Sequence, residues 1–375
     1  MSTPPGKERV SPRVSPRTSP KGSPSNTTDQ PEAGTIGGSQ QQHYVAADSA
    51  DSSTEDDFWD SDNGSLMTDT TSLREQIYAQ MVENGRRYNA NSAGKSDYQF
   101  PVDEMEQDRL DLMHHIFKLL LHGDLYISPI GPNPQRILDI GTGTGIWAIE
   151  IADRFPSASV VGTDLAPIQP TWVPPNLEFQ IDDCEGDWTF PKDSFDFIHI
   201  RYLRAAISDW PRLYKQAYDA LRPGGYFEFQ DPDLVFLTDD GSMPEDASLS
   251  QYINHFHAAC EKNGKHTRGQ PQSVKDELRK LGFTDIVEDV RKCPQNPWPR
   301  KDEHLKALGR YSLLNLLDGL EGFAMKLFTG ILKWRKEEVD IFVAKLKQES
   351  CNKNYHMYFN YYYVSGRKPF EDEDL

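Results

Sequence analysis

The chain has 375 residues, enough for one large domain or two, and its hydrophobic share of 37% is low because a polar N-terminal arm dilutes the rest. A formal net charge of −18 argues against nonspecific binding of nucleic acid or membrane by the whole protein, so no direct nucleic-acid partner is expected. The four cysteines (Cys184, Cys260, Cys293, Cys351) form no C-x-x-C pair, which favours reduced thiols over disulfides or zinc, and no metal site is expected. There is no signal-peptide core and no apolar run of about 18 residues; Tyr311–Leu332 comes nearest but contains Asp318, Glu321 and Lys326. The expectation is a soluble protein of the nucleus or cytoplasm, without a membrane span.

Residues 1–70 read as a disordered arm rich in Ser, Pro, Gly, Gln and Asp. Ser-Pro pairs recur every four residues at Ser11, Ser15, Ser19 and Ser23, three of them followed by Arg or Lys. They are either a basic flexible tail or a set of targets for proline-directed kinases, each phosphate reversing the local charge. Asp48–Asp62 carries seven acids and no base around Phe58 and Trp59: a solvated run, or a docking peptide.

Residues 71–130 read as an N-terminal helical segment. Leu73–Asn89 is weakly helical. Asp103 then N-caps a helix running to about His122, with Glu106 completing a capping box and Gly123 as the stop. Leu110, Met113, Phe117, Leu120 and Leu121 form its apolar face. Glu104, Glu106 and Arg109 read as a solvated helix start, with cofactor contact as the alternative. His114 and His115 are adjacent, point in different directions and make no joint metal site.

Residues 131–300 form the core, organised around Arg136–Gly145. Ile137, Leu138 and Ile140 read as a buried strand, Gly141, Gly143 and Gly145 as a tight turn, and Ile146–Phe155 as a helix. Glycine lets a ligand approach the backbone and permits positive φ. A dinucleotide site usually shows G-x-G-x-x-G and seats a pyrophosphate on the helix. Here an acid, Asp139, precedes the glycines, which suits a ligand carrying an ammonium and a sulfonium: S-adenosyl-L-methionine. A second strand, Ser159–Thr163, ends at Asp164, 23 residues (164 − 141) beyond Gly141, where a carboxylate can grip a ribose diol. A dehydrogenase-like NAD site is the alternative.

Strand Leu177–Ile181 ends in Asp182-Asp183-Cys184, acids placed to accept an adenine amine. Phe195–Ile200 is a fourth strand. A helix opens near Pro211, is broken by Arg222-Pro223-Gly224-Gly225, and leads to the strand Tyr226–Gln230. This alternation implies an α/β, doubly wound (Rossmann-like) parallel sheet with ligands beyond the carboxyl ends of the strands. Asp139, Asp164, Asp183, Arg201 and Asp231 then surround one crevice. Beyond it come helices Ser248–Asn263 and Ser273–Leu281 and a strand Thr284–Val290. Residues 301–350 read as an inserted helical cap, able to shape an acceptor pocket or dock a partner. Residues 351–375 supply a final strand, Tyr355–Val364, pairing with Thr284–Val290, and an acidic tail.

Ile137-Leu-Asp139-Ile-Gly-Thr-Gly-Thr-Gly145, Gly162-Thr-Asp164-Leu, Asp182-Asp183-Cys, Phe195-Asp-Phe-Ile and Leu221-Arg-Pro-Gly-Gly225 resemble the class I S-adenosylmethionine-dependent methyltransferases. Gly85-Arg-Arg-Tyr88, Pro101-Val-Asp-Glu-Met-Glu106, Gly143-Thr-Gly-Ile-Trp147 and Gln230-Asp231 look like the LaeA-like fungal methyltransferases. The resemblance runs from about Tyr78 to Pro369; Val102 stands where many relatives have a polar residue. It implies methyl transfer, a role in secondary metabolism and development, and velvet-domain regulatory proteins as partners. By the match, Asp139, Gly141, Thr142, Gly143 and Gly145 line the methionine end of the cofactor. Asp164 and Leu165 take the ribose, and Asp182, Asp183 and Cys184 the adenine edge. The acceptor is open, and so is the catalytic base, for which His199, Tyr202 and Asp231 stand by position. The alternatives are a small-molecule methyltransferase of a biosynthetic pathway and a non-catalytic scaffold that keeps the cofactor fold.

Overall fold

The computed structural model describes residues 79–89 and 98–373. The expected disordered arm, with its Ser-Pro ladder and acidic-aromatic run, lies outside the described residues, as do Leu73–Tyr78 and the end of the acidic tail.

Seven strands build one sheet. In chain order they are β3 (Arg136–Ile140), β4 (Ser159–Asp164), β5 (Leu177–Ile181), β6 (Phe195–Arg201), β7 (Leu221–Pro232), β8 (Thr284–Pro294) and β9 (Tyr358–Arg367), and in space β5-β4-β3-β6-β7-β9-β8. The pairs from β5 to β7 are parallel; β9 runs antiparallel to both β7 and β8. The central strands are apolar on both faces, as a doubly covered parallel sheet requires. Ile137 and Phe197 pack with Trp147, Ile151 and Ala152 of helix α2 (Ile146–Arg154). Leu138, Ile140, Ile198 and Ile200 pack on the other side with Leu213 and Ala217 of helix α3 (Trp210–Ala220). The strand order reverses between β3 and β6, and a crevice opens beyond the carboxyl ends at such a reversal.

The weak helix expected over Leu73–Asn89 is not formed where the chain is described. Gln80–Glu83 (β1) and Arg86–Asn89 (β2) make an antiparallel hairpin. The reason is Asn84-Gly85, both at positive φ (53° and 85°), a pair suited to a two-residue hairpin turn. Helix α1 (Glu104–Leu120) follows, N-capped by Asp103, which accepts the Glu106 N–H at 3.1 Å. The reciprocal half of the expected capping box is absent, because the Glu106 carboxylate turns to Arg109 instead. Asp103 also takes the Arg86 guanidinium through two bonds of 2.7 and 2.9 Å, which fastens the hairpin to the helix start.

Helices α4 (Ser248–Lys262) and α5 (Gln270–Lys280) precede β8. The stretch expected as one helical cap is two helices, α6 (Glu303–Lys326) and α7 (Lys336–Ser350), joined through a π-helical turn at Leu327–Ile331. Leu308 and Leu320 of α6, Phe328 of the turn and Val339 and Leu346 of α7 bury against α1, α4 and the aromatic face of β9. Asn296, fully buried, holds the base of the cap through its amide on the Asn352 and Tyr355 carbonyls, both at 3.2 Å. α6 crosses that segment at Gly309, where a Cβ would lie 2.7 Å from the Asn296 carbonyl carbon. Gly309→Ala is therefore expected to destabilise the fold by about 1–3 kcal/mol, since backbone cannot yield as a side chain does. The check is a lower urea midpoint at unchanged slope.

Candidate functional site

The site begins at the end of β3. Asp139 is buried; its Oδ2 accepts the Thr142 hydroxyl at 2.6 Å and its Oδ1 lies 2.8 Å from His199 Nδ1. β3 and β6 run in register with Asp139 beside His199, which is why the two side chains meet. The His199 ring is fully buried and stacks on Trp147, 3.7 Å between centroids at 4°. His199 is thus a core residue outside the cleft and cannot serve as the acceptor's base.

The turn that follows is left-handed at Gly141, Gly143 and Gly145 (φ 65°, 60° and 81°). Only one of them has open space beside it. A Cβ on Gly141 would lie 2.9 Å from Leu203 Cδ1, and one on Gly145 2.8 Å from Phe179 Cε1. Those two glycines admit the protein's own side chains. At Gly143 the nearest atom to a Cβ is Leu110 Cδ1 at 3.7 Å, and that position faces open space.

Nine of the ten residues picked from sequence line one cleft: Asp139, Gly141, Thr142, Gly143, Asp164, Leu165, Asp182, Asp183 and Cys184; Gly145 does not. Arg201, Tyr202 and Asp231 line it too. At the end of β4, Asp164 accepts the Gly143 N–H (2.8 Å, Oδ2) and the Ala166 N–H (2.9 Å, Oδ1). Burial pushes its carboxyl up to about 6. Beyond β5, Asp183 accepts the Glu185 N–H at 2.9 Å, and burial raises the Asp182 carboxyl. Burial also pushes the Cys184 thiol well up, which keeps it a thiol and no nucleophile.

Across the cleft stands a wall that sequence reasoning did not assign. Glu106 and Arg109, expected as a solvated helix start, are 2% exposed and both line the cleft. Arg109 meets both Glu106 oxygens at 2.7 and 2.9 Å and donates its third nitrogen to Asn315 Oδ1 of α6 at 2.8 Å. Its guanidinium lies over the rings of Phe323 (4.8 Å) and Tyr202 (5.5 Å). The counter-charge Glu106 is three residues away, but the Asn315 acceptor is 206 residues away, and no local pattern signals that contact. Deeper on α1, burial drops His114 to about 3, and the neutral ring accepts from Arg201 at 3.0 Å through Nδ1 and meets Glu150 at 3.1 Å. His115 faces elsewhere, against Tyr311, so the adjacent histidines share no site. Glu106→Gln leaves Arg109 buried without its counter-charge and is expected to cost about 3–5 kcal/mol. The double variant Glu106→Gln/Arg109→Gln should cost less than the sum of the two single changes, read by chemical denaturation.

Comparison with known proteins agrees with this geometry. A family model described as a methyltransferase domain matches residues 112–288. Methyltransferase pytC of Aspergillus terreus is 40% identical over 83% of this chain and 95% of its own length. The secondary metabolism regulator LAE1 of Cochliobolus heterostrophus is 36% identical over 77% of this chain and 94% of its own. The protein-methionine methyltransferase laeA of Emericella nidulans is 36% identical over 81% of this chain and 80% of its own. With the sheet order, the glycine turn behind Asp139 and the acids on β4 and β5, these likenesses settle the family: the chain belongs to the LaeA-like class I S-adenosylmethionine-dependent methyltransferases, enzymes of fungal secondary metabolism.

Proposed function

We propose that the chain carries the cofactor across the ends of β3, β4 and β5 and delivers its methyl to an acceptor held between β7 and the helical cap. The carrying observation is the gathering of Asp139, Asp164, Asp182 and Asp183 along one side of a single cleft, a lining suited to a cationic ligand. Gly143 and Thr142 border the methionine end, Asp164 and Leu165 the ribose, and Asp182, Asp183 and Cys184 the adenine. The cofactor's methyl is already activated by its sulfonium, so the protein's task is chiefly alignment and exclusion of water.

A regulatory role in the nucleus or cytoplasm, with velvet-domain proteins as partners, is supported by relatives named as secondary metabolism regulators. A biosynthetic role is supported by the relative named methyltransferase pytC. Of the two, the cleft favours catalysis on an acceptor of its own. Pull-down of velvet-domain proteins by the full chain and by a cofactor-blind variant separates the readings.

Gly143→Asp supplies that variant. Its side chain would project where only Leu110 stands nearby, into the proposed methionine end, and should abolish calorimetric binding of S-adenosylmethionine; a side chain at φ 60° also strains the turn, so the melting temperature should fall while the folded circular dichroism spectrum is retained. Binding should also depend on pH. A ribose diol donates to an ionised carboxylate, and Asp164 titrates at about 6, so affinity should be full above pH 6 and fall as pH drops through it, up to about tenfold per unit. Asp164→Asn should bind more weakly and lose that slope. An unchanged slope would remove Asp164 from the ribose.

A further inference from the structure

The amino-acid end of S-adenosylmethionine carries a carboxylate as well as an ammonium. The acids at the ends of β3, β4 and β5 repel that carboxylate, so it calls for donors of its own, best of all a cation. Among the described residues three arginines line the cleft: Arg109, Arg201 and Arg204. Arg109 is closed by both Glu106 oxygens and by Asn315. The three guanidinium nitrogens of Arg204 lack a hydrogen-bond partner, but they are enclosed by protein, so nothing in the cleft meets them directly. That leaves Arg201.

Arg201 closes β6, one residue past Ile200, which pairs with Ile140; it therefore stands beside the turn that begins at Gly141. Its side chain leaves the same face of the sheet as His199, two residues earlier, and reaches α1. There Nη2 donates to His114 Nδ1 at 3.0 Å, and the guanidinium lies 5.0 Å above the Phe117 ring. Its other nitrogens have no hydrogen-bond partner among the described residues, and unlike those of Arg204 they are not enclosed. The two carboxylates whose field reaches it are committed elsewhere, Asp139 to Thr142 and His199, Glu150 to Lys118 and His114. Without a counter-ion of its own, the Arg201 guanidinium is drawn down by burial to about 10.

His114 sets the direction of what remains free. Lys118 holds both Glu150 oxygens, at 2.9 and 2.6 Å, and Glu150 Oε1 meets His114 Nε2 at 3.1 Å. A neutral ring that donates from Nε2 accepts at Nδ1, so the ring grips Arg201 by one nitrogen and leaves the others open. The rest of the planar fork suits two parallel bonds to a carboxylate, a geometry that a lysine ammonium cannot match.

We propose that Arg201 receives the α-carboxylate of the cofactor's methionine end and that His114 is its positioning residue. The inference rests on the methyl-transfer reading above and deepens it. It gives the cleft a selectivity: the amino-acid tail is read twice, its ammonium on the acid side and its carboxylate by Arg201, so an adenosyl thioether without the carboxylate binds weakly. No bond is made or broken at Arg201. Its part is to fix the tail, and with the tail the direction in which the methyl points.

The test is calorimetry on the full chain with three related ligands: S-adenosylhomocysteine, its decarboxylated analogue, in which a hydrogen replaces the carboxylate, and methylthioadenosine, which lacks the ammonium as well. The unaltered protein should bind S-adenosylhomocysteine at least about tenfold tighter than the decarboxylated analogue. Arg201→Gln should remove most of that ratio by weakening S-adenosylhomocysteine alone. Arg201→Lys, which keeps the charge without the fork, should retain part of it. His114→Ala should lower the ratio by less than Arg201→Gln does and leave methylthioadenosine unchanged; an unchanged ratio in His114→Ala overturns its positioning role. Equal affinity of the unaltered protein for the first two ligands overturns the proposal without any variant. Loss of both ligands alike in Arg201→Gln overturns it too and makes the arginine structural. Benzoate binding to protein saturated with S-adenosylhomocysteine, lost in Arg201→Gln, also overturns it, since the fork would then be free for an acceptor's carboxylate. Failure of all three nucleosides to bind strikes the methyl-transfer reading instead, so the two failures are told apart.

Discussion

A carboxylate set into the middle of a parallel sheet needs partners for both of its oxygens, and the way Asp139 finds them governs the site. One partner is Thr142, inside the turn that Asp139 introduces; the other is His199, on the neighbouring strand. The first bond bends the chain back over the strand end, and the second ties that bend to β6. A buried carboxyl group without such partners would be too costly to keep, so the shape of the turn and the satisfaction of its two oxygens are one problem with one solution. Leu203 and Phe179 then press against the two outer glycines, and the backbone at Gly143 is left facing the cleft.

A second buried pair does for the far wall what Asp139 does for the near one. Glu106 and Arg109 sit one helical turn apart, and Arg109 reaches on to Asn315 in the insertion between β8 and β9. Helices from opposite ends of the chain are thereby brought to a fixed separation, and the cleft between them has a set width. The Arg86–Asp103 pair extends the same fastening to the hairpin, and Gly322 of α6 passes close to that arginine. Replacing such pairs with apolar residues often stabilises a protein, so their presence beside a ligand cleft reads as geometry kept for function.

The sheet was legible in the sequence because β3 and β6 are unbroken apolar runs and the intervening helices repeat with their own period. The glycine turn, Asp164 and the acids after β5 were legible from spacing alone. The hairpin was not: Gln80–Glu83 is largely exposed, its charged and apolar residues mimic a weak helix, and only Asn84-Gly85 betrays the turn. The rings that line the cleft's far side were hidden for another reason. Phe100, Phe256 and Phe323 are far apart in sequence, and each alone looks like ordinary core. Gly145 was assigned to the ligand on motif grounds, whereas its want of a side chain serves Phe179. Position along a strand thus forecast which residues face the crevice better than it forecast why they are small.

The placement of β9 between β7 and β8 has a consequence for how the molecule is made. Synthesis runs from the N-terminus, at about 5–20 residues per second, so β7 is complete long before Tyr358–Arg367 leaves the ribosome. Until then the aromatic flank of β7 has no neighbour, and β8, which pairs only with β9 among the described strands, has none either. The nascent chain must shelter a bare strand edge through the whole production of α6 and α7. Phe359 and Tyr361 of β9 line the cleft, so its wall is completed only when the last of the described strands has been made.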